Sequence, residues 1–207
     1  PKTRPRNNGI YIGTFRKKAD LPAQKIHSLL ITSGRLLEEI KNAFDCILAF
    51  SDETALTESV NYLHSLFSIY DSWLQDVSDM TRNGCSLREL LDRSQGVFSN
   101  PLLIHDDNFH FIAYSSFIDS SPKLSFLVDE EQTAEILNNF MIDPDYRKTF
   151  STEDAEIFPA YLTGVRTIYK NIFSHGKVVC RILIAETIRE LTESDIRFLD
   201  LLSVYIK

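Results

Sequence analysis

The feature that most restricts the fold is a stripe of large apolar residues. Leu56, Val60, Leu63, Phe67, Tyr70, Leu74 and Val77 follow one another at spacings of 4, 3, 4, 3, 4 and 3. That is the heptad repeat, which keeps one face of an α-helix apolar turn after turn. Gly84 after Asn83 supplies a stop, so the spacing predicts one helix from Thr54 to Arg82, roughly 40 Å long at 1.5 Å per residue. A second row, Tyr62, Leu66, Ile69 and Trp73, widens the apolar face beyond the seam of a two-stranded coil, so the helix needs more than one neighbour. Two readings are open. Either this is an amphipathic helix buried within its own fold, or the heptad residues Leu56 to Val77 also form a dimer interface with a second copy.

The stretch before it, 1–53, reads as a small α/β unit. Gly9 to Phe15, Ser28 to Thr32 and Cys46 to Phe50 are short runs rich in Ile, Leu and aromatics, the composition of strands. Between the last two, Arg35 to Phe44 sets Leu36, Leu37, Ile40 and Phe44 on one helical face. About 50 residues bury only a marginal core, so the unit is expected to lean on the rest of the chain or on a partner.

The long helix is assigned 54–84, and 85–207 forms the third region. Ser86 and Glu89 have the spacing of a capping box, opening a helix with Leu87, Leu90, Leu91, Ser94 and Phe98 on one face. Asn100-Pro101 ends it, because proline drives the preceding residue out of the α region. Leu102 to His105 and His110 to Ser115, joined through Asp106-Asp107-Asn108, make a hairpin. Glu130 to Met141 reads as a helix, and Ser151 to Ala160 as a short helix or turn. Val165 to Phe173 and Lys177 to Glu186 form a second hairpin through His175-Gly176. A second capping box, Thr192 to Asp195, opens a last helix with apolar residues on two faces: Ile196, Leu199, Leu202 and Ile206 on one, Phe198, Leu201 and Tyr205 on the other. This order predicts an α+β fold, a mainly antiparallel sheet with flanking helices.

Several functions are disfavoured. The net charge of −7 argues against direct nucleic-acid binding, which runs on lysine and arginine displacing counterions. The three cysteines, Cys46, Cys85 and Cys180, are scattered, which suits a reducing cytoplasm and neither a disulfide framework nor a zinc knuckle. No apolar run approaches the roughly 20 residues that span a bilayer, and no signal peptide is present, so no membrane partner is expected. No nucleophile motif or paired carboxylates stand out, so the chain reads as no enzyme, with no cofactor. His105 and His110 bracket a turn and would face each other across the hairpin near Asp106 and Asp107, but two histidines fall short of a ligand set and no metal site is assigned. The sequence starts without Met and stops in an apolar run at Lys207, which reads as a piece of a longer protein.

Leu87 to Phe98 running into Asn100-Pro101-Leu102-Leu103-Ile104, then Asp107, Phe109 and Ala113-Tyr114-Ser115, resemble the sensor region of PucR-like and CdaR-like bacterial helix-turn-helix regulators. Gly176 to Ile206, with its LTESD, is similar to the closing hairpin and helix of GAF-type domains. The resemblance covers residues 55 to 207. It implies a GAF/PAS-like sensor domain over 85–207, a homodimer, an unidentified small-molecule effector, and DNA contacted only through a region absent from this chain. It further implies a pocket between the sheet and its connecting helices, for which Tyr114, Phe126, Tyr161 and Tyr169 supply aromatic walls and Arg166 a guanidinium that forks onto a carboxylate or phosphate. Each of these aromatics also fits as core filler, and Arg166 as a surface charge. The alternative is an assembly module without a small-molecule ligand.

Overall fold

Apolar alternation and helix caps arrange this chain into two sheets and one long helix. The computed structural model describes residues 5–13, 21–22, 24–34, 36, 38–120, 124, 138–162 and 164–206. By compactness the chain divides into two units, Pro1–Ile69 and Tyr70–Lys207, the division falling inside the long helix.

In the first unit, β1 (Ile10–Ile12), β2 (Ile26–Ser33) and β3 (Phe44–Phe50) form a sheet in that order, each pair parallel. Helix α1 (Glu38–Lys41) makes the crossover between β2 and β3, as parallel neighbours require. Leu30, Ile40, Ala43 and Phe44 fill its core. The helix expected over 35–44 is thus shorter than its pattern: Phe44 is already in β3, paired with Ile26 and buried as a strand residue. Positions 14, 15, 35 and 37 lie outside the described residues.

Helix α2 runs from Glu53 to Arg82, one residue longer than the heptad spacing predicts, and Gly84 follows at φ 75°, a left-handed conformation that glycine adopts without strain. Asp52 caps its start, accepting from the Ala55 N–H at 2.8 Å. In the second unit, α3 (Leu87–Phe98) has both halves of its capping box: the Ser86 N–H donates to Glu89 at 2.8 Å and the Glu89 N–H to Ser86 Oγ at 3.3 Å.

The second sheet is five-stranded among the described residues: β4 (Leu102–Asp106), β5 (Phe111–Tyr114), β6 (Glu156–Phe158), β7 (Thr167–Ser174) and β8 (Lys177–Ala185). Their order is β5-β4-β8-β7-β6, antiparallel throughout. Strands β7 and β8 meet at His175-Gly176, both at positive φ (50° and 76°), the backbone that a two-residue hairpin turn matched to strand twist demands. The segment 151–160 departs from its expected helix or turn. A 3-10 turn at Thr149–Ser151 leads into β6, whose three residues pair with Tyr169, Ile168 and Thr167. Three residues are too few for alternation to register as a strand. Of the helix expected over 130–141, only 138–141 lie within the described residues; 138–142 are helical and α4 (Pro144–Lys148) follows, with Asp143 as N-cap.

Side-chain alternation gives this sheet two different faces. On one, Leu102, Ile104, Ile168, Ile172, Cys180, Ile182 and Ile184 meet Leu90, Leu91 and Phe98 of α3, Trp73 and Val77 of α2, and Leu199 and Leu202 of α5 (Glu193–Ser203). Trp73, 1% exposed, lies edge-on to Phe98 and Phe198 and donates its indole N–H to Ser94 Oγ at 3.1 Å. Phe198, on the second apolar face of α5, stacks on Tyr70 at 4.5 Å. Asn100 ties the end of α3 to the loop before α5. Its Oδ1 accepts from the Ile188, Arg189 and Thr187 N–H groups at 2.9, 3.2 and 3.3 Å, and its Nδ2 donates to the Arg189 carbonyl at 2.8 Å. Among the described residues no helix is long and apolar enough to cross a membrane.

Candidate functional site

The other face of the sheet carries Leu103 and His105 from β4, Tyr169 and Asn171 from β7, and Arg181 and Leu183 from β8. Arg181 is 0% exposed although it stands in the central strand of the sheet. Its Nε donates to Asn171 Oδ1 at 2.8 Å. The amide of Asn171 has no freedom to flip, because its Nδ2 donates to the carbonyls of Thr149 and Thr152 at 2.7 and 2.8 Å. Three rings surround the guanidinium: its carbon lies 4.0 Å from the Phe150 ring centre, 4.8 Å from Tyr169 and 5.2 Å from Tyr146. Such cation–π contacts are worth about 2 kcal/mol each when desolvated, which partly offsets the burial of the charge. The terminal nitrogens Nη1 and Nη2 are buried and meet no hydrogen-bond partner of good geometry, the Tyr146 phenol being a polar group within reach of them.

Next to it in register stands His105, paired with Arg181 across β4 and β8. His105 Nδ1 lies 2.6 Å from the Asp106 carbonyl oxygen, which only accepts, so the ring proton sits on Nδ1. Nε2 is then a bare lone pair, buried and unpartnered. Burial, reinforced by the Arg181 charge, pulls the imidazole down to about 4 and holds it neutral. Its ring stacks on Phe109 at 5.2 Å. Phe109 sits at φ 65°, a conformation costing a bulky residue about 1–3 kcal/mol. Asp106 enforces it: Oδ1 accepts from the Asn108 and His110 N–H groups, both at 2.8 Å, which folds the turn and throws the Phe109 ring inward against Phe140, Tyr146 and Phe150.

The phenols stay neutral beside this cation. Burial raises Tyr146 against the pull of the Arg181 charge, and Tyr169 is pushed up to about 12 by burial and by Glu156, to which its hydroxyl donates at 2.8 Å. Among the described residues no carboxylate forms an ion pair with Arg181. The site is therefore a fixed, buried cation in an aromatic cage, with two donor nitrogens and one acceptor nitrogen buried without a well-aligned hydrogen-bond partner.

Of the pocket residues chosen from sequence, Tyr169 is in this cage, and Tyr161 lies at its margin, 57% exposed, its ring 5.4 Å from Phe158 and its hydroxyl on Asp143 at 2.8 Å. Tyr114 is elsewhere, half-buried under the Arg88 guanidinium at 5.2 Å. Phe126 lies outside the described residues. The guanidinium expected at Arg166 forks onto Glu186 of this same chain, with Nε 2.6 Å from Oε2 and Nη2 on Oε1, so that fork is taken. Arg181 was missed. Its signal was an arginine between Cys180 and Ile182 in an otherwise apolar strand, where no surface charge belongs. The two turn histidines do not face each other. A bulge between Ile104 and His105 sets His105 opposite Phe111, leaving His110 outside with its ring on Asp106 at 3.1 Å. Among the described residues no three His, Cys, Asp or Glu side chains gather to hold a metal ion.

The second unit is an α+β domain, an antiparallel five-stranded sheet with long helices on one face and an aromatic cage under short connecting helices on the other. The chain is similar to the phycoerythrobilin-bound GAF domain from a cyanobacterial phytochrome, at 13% identity over 67% of this chain and 94% of that one, with a TM-score of 0.45. It is also similar to the phycocyanobilin-bound GAF domain from a cyanobacterial phytochrome, at 13% identity over 66% and 92%, with a TM-score of 0.41. No protein-family model matches the sequence, and no curated protein matches it.

Proposed function

We propose that this chain is the effector-sensing part of a bacterial transcriptional regulator of the PucR-like or CdaR-like kind, non-catalytic and homodimeric, whose DNA contacts belong to a region outside the chain. The observation that carries the sensing role is Arg181. A fully buried guanidinium whose two terminal nitrogens have no well-aligned partner is unfavourable by several kcal/mol unless something completes it, which supports a site that a ligand would complete. The opposite face of the same strand supports α2 and α5, so binding has helices to act on. Sensing requires only that the effector prefer one seating of those helices over another.

Homodimerisation would use the heptad face of α2. Toward its N-terminal part Phe67 of the heptad stripe is 51% exposed, and Ile69 and Tyr62 of the row beside it 53% and 64%, with Leu56, Val60 and Leu63 half-buried, while Trp73 and Val77 are buried in the second unit. This open stripe also favours the second reading, an assembly module without effector. The two are separated by thermal denaturation of the whole chain against a panel of amino acids, nucleobases, sugars, amines and organic acids. Sensing requires at least one compound to raise the melting temperature, and assembly alone predicts none.

A further inference from the structure

We propose that the effector is a small monocarboxylate with an apolar body, its carboxylate seated between Arg181 Nη1 and Nη2 on one side and His105 Nε2 on the other. This rests on the sensing role of the cage and names the chemistry that role requires.

The geometry selects the class in three steps. Rings of Phe150, Tyr169 and Tyr146 take the space around the guanidinium at 4.0 to 5.2 Å, and Asn171 takes Nε, which leaves the edge formed by Nη1 and Nη2. A ligand at that edge lies in the guanidinium plane, where a carboxylate or a phosphate accepts two parallel N–H bonds, so the choice between them falls to charge. The charge count is one. Arg181 is a single cation walled by Tyr146, Phe150 and Tyr169, so a second carboxylate on the ligand would be buried among rings without a partner. The rest of the molecule meets mostly apolar surface, the rings together with Leu162 and Leu183.

His105 adds a proton. Its Nδ1–H is committed to the Asp106 carbonyl, so Nε2 meets a carboxylate oxygen favourably only after taking up a proton from solvent. Arg181 on β8 opposes its protonation in the empty site, and the ligand's charge cancels that opposition. Tyr169 on β7 and Tyr146 on α4 are neutral, Glu156 on β6 is engaged by Tyr169, and Asp106 with His110 on the turn favours the cation. Binding the anion therefore takes up at most one proton, and affinity weakens as pH rises, by up to tenfold per pH unit.

The test is calorimetry and thermal denaturation of the whole chain between pH 6 and 8 with sodium acetate, propionate, benzoate and phenylacetate. Acetamide and benzamide serve as uncharged counterparts, succinate as a dicarboxylate, and phosphate and sulfate as tetrahedral anions. At least one monocarboxylate is expected to bind at least tenfold more tightly than every one of these controls, with proton uptake visible as a dependence of the heat on buffer. Arg181→Lys should weaken it at least tenfold, and Arg181→Met should abolish it while melting no lower than the parent. His105→Phe should remove the pH dependence. Equal binding of the amides, of succinate or of sulfate and phosphate overturns the inference, as does affinity unchanged in Arg181→Met. If other classes of the metabolite panel stabilise the chain and no carboxylate does, sensing stands and this inference falls. If nothing of any class does, both fall.

Discussion

Acidification of the ligand-free chain should destabilise it through one histidine. The fold holds His105 near 4 against an ordinary 6.5, because burial disfavours its cation. Above pH 6.5 the folded and unfolded chains both carry it neutral, and the stabilisation is fully present. Below 6.5 the unfolded chain binds a proton that the folded one refuses, so stability falls by up to about 1.4 kcal/mol per pH unit until the folded ring itself titrates near 4. The whole gap is worth roughly 3 kcal/mol, of which about 2 kcal/mol should be gone by pH 5. Urea unfolding at several pH values between 7.5 and 5, followed by the fluorescence of Trp73, the single tryptophan and fully buried, reads this directly. The comparison is His105→Phe, which preserves the stacking on Phe109 and removes the titrating group. The variant loses the hydrogen bond to the Asp106 carbonyl at every pH, a constant offset of about 1 kcal/mol. The other histidines are common to both proteins and cancel in the difference. Parallel stability curves for parent and variant from pH 7.5 to 5 would refute the account of His105 as a buried neutral base.

Trp73→Ala should lower unfolding stability by about 3–5 kcal/mol, since it empties a fully buried site and strands the Ser94 hydroxyl; chemical denaturation measures this. Asn100→Ala removes the acceptor for the N–H groups of residues 187–189, and at about 1 kcal/mol per hydrogen bond it should cost about 3 kcal/mol and accelerate amide exchange there. Phe67→Glu places a charge on the open heptad face and should turn a dimer into a monomer in sedimentation, with the denaturation midpoint changed little.

Local rules carried much of the fold because local chemistry decides it. The heptad spacing marked α2 to within one residue, Ser86 with Glu89 marked the start of α3, and His175-Gly176 marked the β7–β8 turn, since each acts within a few residues of itself. What escaped depended on distant partners. β6 exists because β7 offers it an edge, and nothing in Glu156 to Phe158 alone shows that. α1 is shortened because Phe44 gains more by pairing beside Ile26 than by a further helical turn. For the site, the sequence pointed to aromatics and to the Arg166 guanidinium, whereas the guanidinium buried among rings is that of Arg181. Arg166 and Arg181 look alike as letters, and only the pairing of strands shows that one meets Glu186 at the surface while the other faces inward among rings. The bulge at His105 escaped for the same reason, being an offset between two strands.

Strand β8 is a membrane in miniature between two chemistries. Arg181 projects to one side, while Cys180 and Ile182, its immediate neighbours, project to the other and lie in the same core as Leu199 and Leu202 of α5. A rotation of this strand that recentres Arg181 by a fraction of an ångström tilts both neighbours in the opposite sense. Under the proposed sensing role, a displacement at Arg181 would reach the helical face through the thickness of one peptide chain. If the sensing role holds, altering the bulk of Cys180 or Ile182 should change the affinity of the Arg181 face for its ligand.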